Sequence, residues 1–116
     1  MGSARRWSDL KQTPAVDAAL RRAAAGVVVI FQADDGAWCY NCEETGATHL
    51  YCSGDWLPDQ NRDDLARVFQ VGLLRAADKR KRGKFWTIYE MTLAAPRAAL
   101  CALLDLLNIE PPEELN

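Results

Sequence analysis

The chain has 116 residues, of which 49% are hydrophobic and 26% charged, with a formal net charge of -2. That length suits a single domain with a real core, and the balance excludes a disordered chain. It also excludes a global field drawing the protein to nucleic acid or an acidic membrane, so any anion-binding surface must be a local patch. No apolar run approaches the roughly 20 residues of a membrane span. Met1–Trp7 carries charges with no apolar stretch behind them, unlike a signal peptide. The expectation is a cytoplasmic, bacterial protein in a reducing compartment, where cysteines bind metal, do redox chemistry or simply pack.

Residues 1–12 are polar apart from Trp7 and Leu10 and predict a loosely packed arm. Thr13-Pro14 reads as an N-cap followed by a first-turn proline. Val16, Ala19, Leu20 and Ala23 recur at helical spacing behind it, and Gly26 reads as the stop. Val27–Phe31 is β-branched and aromatic, which predicts a strand. Asp34-Asp35-Gly36 then signals a hairpin, because both turn positions tolerate positive φ. Ala37–Cys42 is the expected return strand, Glu44-Thr45-Gly46 a second turn, and Ala47–Cys52 a third strand.

Ser53–Asn61 reads as a loop anchored by Trp56-Leu57, with Asn61 capping the next helix and Asp63 and Asp64 in its first turn. Leu65, Val68, Phe69, Leu73 and Ala76 mark that helix's apolar face, which Gly72 interrupts. Lys79-Arg80-Lys81-Arg82 is expected at its C-terminal end, where the macrodipole favours cations, and Gly83 should terminate it. Phe85–Leu93 reads as a fourth strand, carried by Trp86, Ile88 and Tyr89. Pro96 opens a last helix with a Leu100, Leu103, Leu104, Leu107 stripe, and residues 111–116 form an acidic tail expected to fray. The order α-β-β-β-α-β-α predicts a single α+β domain over 1–116, an antiparallel sheet of about four strands packed against helices.

Three of the four cysteines and the only histidine fall within fourteen residues. Cys39, Cys42, His49 and Cys52 spell C-x2-C-x6-H-x2-C, a donor set suited to a closed tetrahedral zinc site, since a two-residue gap lets one tight turn present two ligands. The pattern has a general similarity to CCHC zinc knuckles, with a different inner spacing. Straight strands oppose the metal reading: with Thr45-Gly46 at the tip, Cys42 faces His49 and Cys39 faces Cys52 on opposite sides of the sheet. Val27–Phe31 with Trp38-Cys39-Tyr40-Asn41-Cys42 also resembles the strand and W-C-x-x-C of thioredoxin-like proteins, over about sixteen residues. That resemblance implies a Cys39 thiolate stabilised by the N-terminus of a following helix. The chain departs from the family beyond it: Glu43–Cys52 is a poor helix, and Pro96 leads into a helix rather than a strand. The reading that needs no ligand packs the cysteines as small hydrophobes on a sheet with Phe31 across from Tyr40, and Cys101 inside the leucine stripe.

Arg75, Lys79, Arg80, Lys81, Arg82 and Lys84 place six of the fourteen positive side chains within ten residues, directly before Phe85 and Trp86. Cations for phosphate and aromatics for stacking make residues 75–86 a candidate nucleic-acid surface. No G-x-S-x-G, glycine-rich phosphate loop or H-E-x-x-H occurs, so nothing specific points to an enzyme. The leading expectation is a non-catalytic binding or accessory protein whose partner is another protein. Its surface would be an aromatic sheet face of Trp38, Tyr40 and Tyr51 or the basic stretch Lys79–Lys84 with Trp86. No cofactor is expected on this reading; zinc, thiol redox and nucleic acid are its alternatives.

Overall fold

Thr13 and Pro14 open α1 (Pro14–Val28) as their chemistry requires: the Thr13 hydroxyl accepts the Val16 N–H at 3.1 Å, and proline occupies the first turn. The computed structural model describes residues 5–52, 54–75, 79–92 and 94–115, with the backbone alone at 79–82; expectations placed on Met1–Ala4, Ser53, Ala76, Leu93 and Asn116 lie outside it. A short 3-10 turn, Trp7–Asp9, precedes α1. After it come β1 (Phe31–Gln32), β2 (Trp38–Asn41), β3 (Thr48–Leu50), α2 (Arg62–Arg75), α3 (Lys79–Glu90) and α4 (Pro96–Leu106). The architecture is α+β, with four α-helices and one antiparallel sheet of order β1-β2-β3 among the described residues.

Two expected boundaries fail for physical reasons. Helix α1 runs through Gly26 because Ala24, Ala25 and Val27 continue its buried stripe. It ends at Val29, held at φ 59° and ψ 53°, with both the Val29 and the Ile30 N–H returned to the Ala25 carbonyl. Burial of Ile30 on the far side holds that closure in place, and Val29 itself is 73% exposed. A β-branched residue in the left-handed region is strained, where glycine is at ease. Val29→Gly is therefore expected to raise stability by about 0.5–1 kcal/mol, read as a higher urea midpoint at unchanged slope. An unchanged or lower midpoint would show that the left-handed closure is not what ends this helix. Of the predicted strand Val27–Phe31 only Phe31 is a strand residue, pairing in β1 with Gln32 beside it.

The second failure is the fourth strand. Residues 85–90 are helical, because Phe85 and Ile88, at i and i+3, turn inward while Tyr89 at i+4 lays its ring against Phe69. Phe85 packs edge-on against Phe69 of α2, and the Phe69 ring does the same with Tyr89. Tertiary burial overrides the strand propensity of Trp86, Thr87 and Ile88. Gly83, expected as a stop, lies inside α3 with open space where a side chain would be.

The core is built from α1, α2 and α4, closed by Trp7, Trp56 and Phe85. Gly72 faces both α4 and α3: a Cβ there would make ordinary contact, 3.4 Å from Leu103 and Leu107 and 3.5 Å from Phe85. The sheet lies to one side and buries Cys39 alone among its strand residues. Both expected turns form, with Gly36 at φ 89° and Gly46 at φ 71°. The registers differ from expectation. Phe31 pairs with Cys39 rather than lying across from Tyr40, and Cys39 pairs with Leu50, Tyr40 with His49 and Asn41 with Thr48. The predicted loose arm is attached at Trp7, and the tail at its start, where Pro111 is buried and the Pro112 carbonyl accepts from Arg5. No helix of the described residues is long and apolar enough to cross a membrane.

Candidate functional site

The hairpin β2–β3 decides what the cysteines and the histidine can do. Cys42 closes the second turn, where its N–H reaches the Ala47 carbonyl and its own carbonyl accepts the Gly46 N–H. Four residues, Glu43–Gly46, therefore form the tip, and the register shifts by two positions from the one expected. Such a shift keeps side-chain parity, so Cys39 points to one face while Tyr40 and His49 share the other, their rings 5.5 Å apart. The Cys39 thiol turns toward the Ala37 carbonyl, and the Cys52 thiol donates to the Gly54 carbonyl at 3.2 Å. Among the described residues no three His, Cys, Asp or Glu side chains gather where a metal could sit, so Cys39, Cys42, His49 and Cys52 are not brought together.

The second cysteine of C-x-x-C, Cys42, sits in the hairpin tip among hydrogen-bond donors. The Thr45 hydroxyl, then the Thr45 and Glu44 N–H groups, hydrogen-bond the Cys42 sulfur and hold its pKa below the ordinary thiol value. A turn follows it, not a helix, so the dipole that activates the first cysteine of a thioredoxin-like site is missing at Cys39. Burial pushes the Cys101 thiol up, as expected inside the leucine stripe.

The aromatic face proposed for the sheet is divided. Trp38 packs on Trp56 with ring centroids 5.0 Å apart, and Tyr51 meets the same indole edge-on at 6.2 Å. Burial pushes the Tyr51 phenol above its ordinary value. Tyr40 alone of the three stands out into solvent.

An apolar opening lies between α2 and α3. A cleft of about 240 Å³ is lined chiefly by Phe69, Leu73, Phe85, Trp86 and Tyr89. Trp86 is 65% exposed at its rim, and Leu74, Tyr89 and Met91 are exposed nearby in sequence. The Tyr89 ring stands steeply to both neighbours, at 80° to exposed Trp86 and at 81° to buried Phe69. Of the binding residues the sequence predicts, Trp86 lines this cleft; the sequence reads Phe69 as core and Tyr89 as strand. The i, i+4 spacing of Phe85 and Tyr89 was the signal that could have placed Tyr89 beside Trp86 on a helix.

The basic run lies at the opposite end of a helix from the one its sequence predicts. Lys79–Arg82 do not end α2; they begin α3, whose first turn has no acidic residue. Cations at a helix N-terminus meet the positive end of the macrodipole, so helix electrostatics no longer explains them. Arg75 ends α2, and Lys84 is exposed one residue before Phe85. By sequence, six cationic residues thus run from the last residue of α2 to the one before Phe85 of α3. Compared with known proteins, the chain matches no family model, no curated protein and no solved structure.

Proposed function

We propose that this is a small non-catalytic binding protein of the cytoplasm, and that the α2–α3 cleft is the surface that holds its partner, another protein. The observation that carries this reading is Trp86, left 65% exposed at the rim of an apolar cleft. Large aromatics in well-packed pockets dominate interface energetics, and contiguous exposed apolar surface marks sites of association. The described lining offers only Gln70 and Tyr89 as polar side chains, so it supplies shape and apolar area rather than a nucleophile or base. At about 240 Å³ the cleft also falls below the roughly 300–1,000 Å³ usual for small-molecule sites, which suits anchoring side chains of a larger partner. Four free thiols fit a reducing compartment.

A photo-crosslinking residue placed at position 86 in source cells tests this. One discrete protein adduct is expected there and absent from a control at exposed Glu113. Matching adduct patterns at the two positions would mean the cleft holds no particular protein.

A further inference from the structure

We infer that the occupant of the α2–α3 cleft is an acidic amphipathic helix of a partner protein, a step that rests on the binding role proposed above and names the chemistry it selects. Three features converge on it. First, the cleft lies between two helices that fold back on each other, since Gly72 faces Phe85 while Phe69 meets both Phe85 and Tyr89. A third helix laid along that groove would present apolar anchors at i, i+3, i+4 and i+7, the pattern by which helices dock into grooves.

Second, the charge is lopsided. Six of fourteen positive side chains belong to residues 75–84 in a chain of net charge -2. Helix geometry places Lys79 only about 9 Å along α3 from Phe85. A bound helix of three or four turns therefore reaches from the apolar anchors to the basic end. Third, the first turn of α3 adds the positive end of its macrodipole to that charge instead of offsetting it. Carboxylates on one end of the occupant would meet both.

The ring geometry favours a protein over a nucleic acid. Successive bases stack on exposed rings that share an orientation, whereas the two exposed rings, Trp86 and Tyr89, stand at 80° to each other and Phe69 is buried.

The test uses a labelled synthetic helix of about five turns with Leu and Phe at the groove positions and glutamate elsewhere, followed by anisotropy against the full chain. A twin peptide carries lysine in place of glutamate, and a single-stranded oligonucleotide is the third probe. The acidic peptide should bind, weaken at least about tenfold between low and moderate salt, and lose at least about tenfold when Lys79, Arg80, Lys81 and Arg82 become glutamine. Trp86→Ser, at an exposed position that leaves the far-ultraviolet dichroism unchanged, should abolish binding. Equal binding of the lysine twin, or acidic binding indifferent to Trp86→Ser, overturns the inference. So does tighter binding of the oligonucleotide, or self-association of the chain that Trp86→Ser removes. A protein crosslinked at position 86 by a segment without acidic helical character would overturn this inference and leave the binding role standing.

Discussion

Trp7→Ala is expected to lower the unfolding free energy by about 3–5 kcal/mol, the range for deleting a buried aromatic side chain. Trp7 is 1% exposed and belongs to the main core, although it lies in a stretch whose polarity predicts a loose arm. Its indole N–H donates to the Ile109 carbonyl at 2.8 Å, and its backbone N–H donates to Asp105 at 2.7 Å. The second Asp105 oxygen accepts from both the N–H and the hydroxyl of Ser8. One carboxylate at the end of α4 therefore fastens the arm while the tryptophan fills the space beneath it. Because a domain of this size is stable by only about 5–15 kcal/mol, the substitution removes a large share of the total. Trp7→Phe separates the two contributions: it keeps most of the ring but leaves the Ile109 carbonyl without its donor, and should cost about 1–2 kcal/mol. Urea midpoints with slopes recorded for all three proteins give the comparison. A loss under about 1 kcal/mol for Trp7→Ala would mean that the arm contributes no core.

The features legible in the sequence were those set by one or two neighbouring residues. Thr13-Pro14 begins a helix, Asn61 caps α2 by accepting the Asp63 and Asp64 N–H groups, and Asp35-Gly36 makes its turn, because each of these conformations is chosen locally. What was not legible depends on distant partners. Nothing near Gly26 shows that Val27 and Ile30 will be buried, which carries α1 past its glycine and forces Val29 into a conformation valine avoids. Residues 85–92 hold both a strand composition and a helical spacing, and the packing of Phe85 on Phe69 decides between them. The hairpin register moved by two positions because Gly46, at positive φ, and the Thr45 hydroxyl bonded to the Ala47 N–H close a four-residue tip. The candidate cleft was half visible for the same reason: the basic run and Trp86 are local features, but a cleft exists only once α2 and α3 meet.

Arg21→Met is expected to cost about 3 kcal/mol, and more than Asp59→Leu, although the two residues form one ion pair. The Arg21 guanidinium meets Asp59 in a two-pronged contact, 2.9 Å from Nε to Oδ1 and 3.1 Å from the second nitrogen to Oδ2. The two partners differ in access to water: the Asp59 side chain is 3% exposed and that of Arg21 28%. Removing arginine strands a buried carboxylate, whereas removing aspartate leaves a guanidinium that still reaches solvent, at a cost of about 1–2 kcal/mol. Asp59 sits in the loop that holds Trp56 beneath Trp38 and Tyr51, so the pair fastens the support of the sheet to α1. Both substitutions together should fall within about 1 kcal/mol of the parent, since an apolar pair of similar volume needs no desolvated charge. The coupling read from that double-mutant cycle would then be large and opposite in sign to the single losses. Equal single losses that simply add would mean that neither charge depends on the other. The loop would then be held by the packing of Trp56 and by the Leu57 N–H bonded to Asp64.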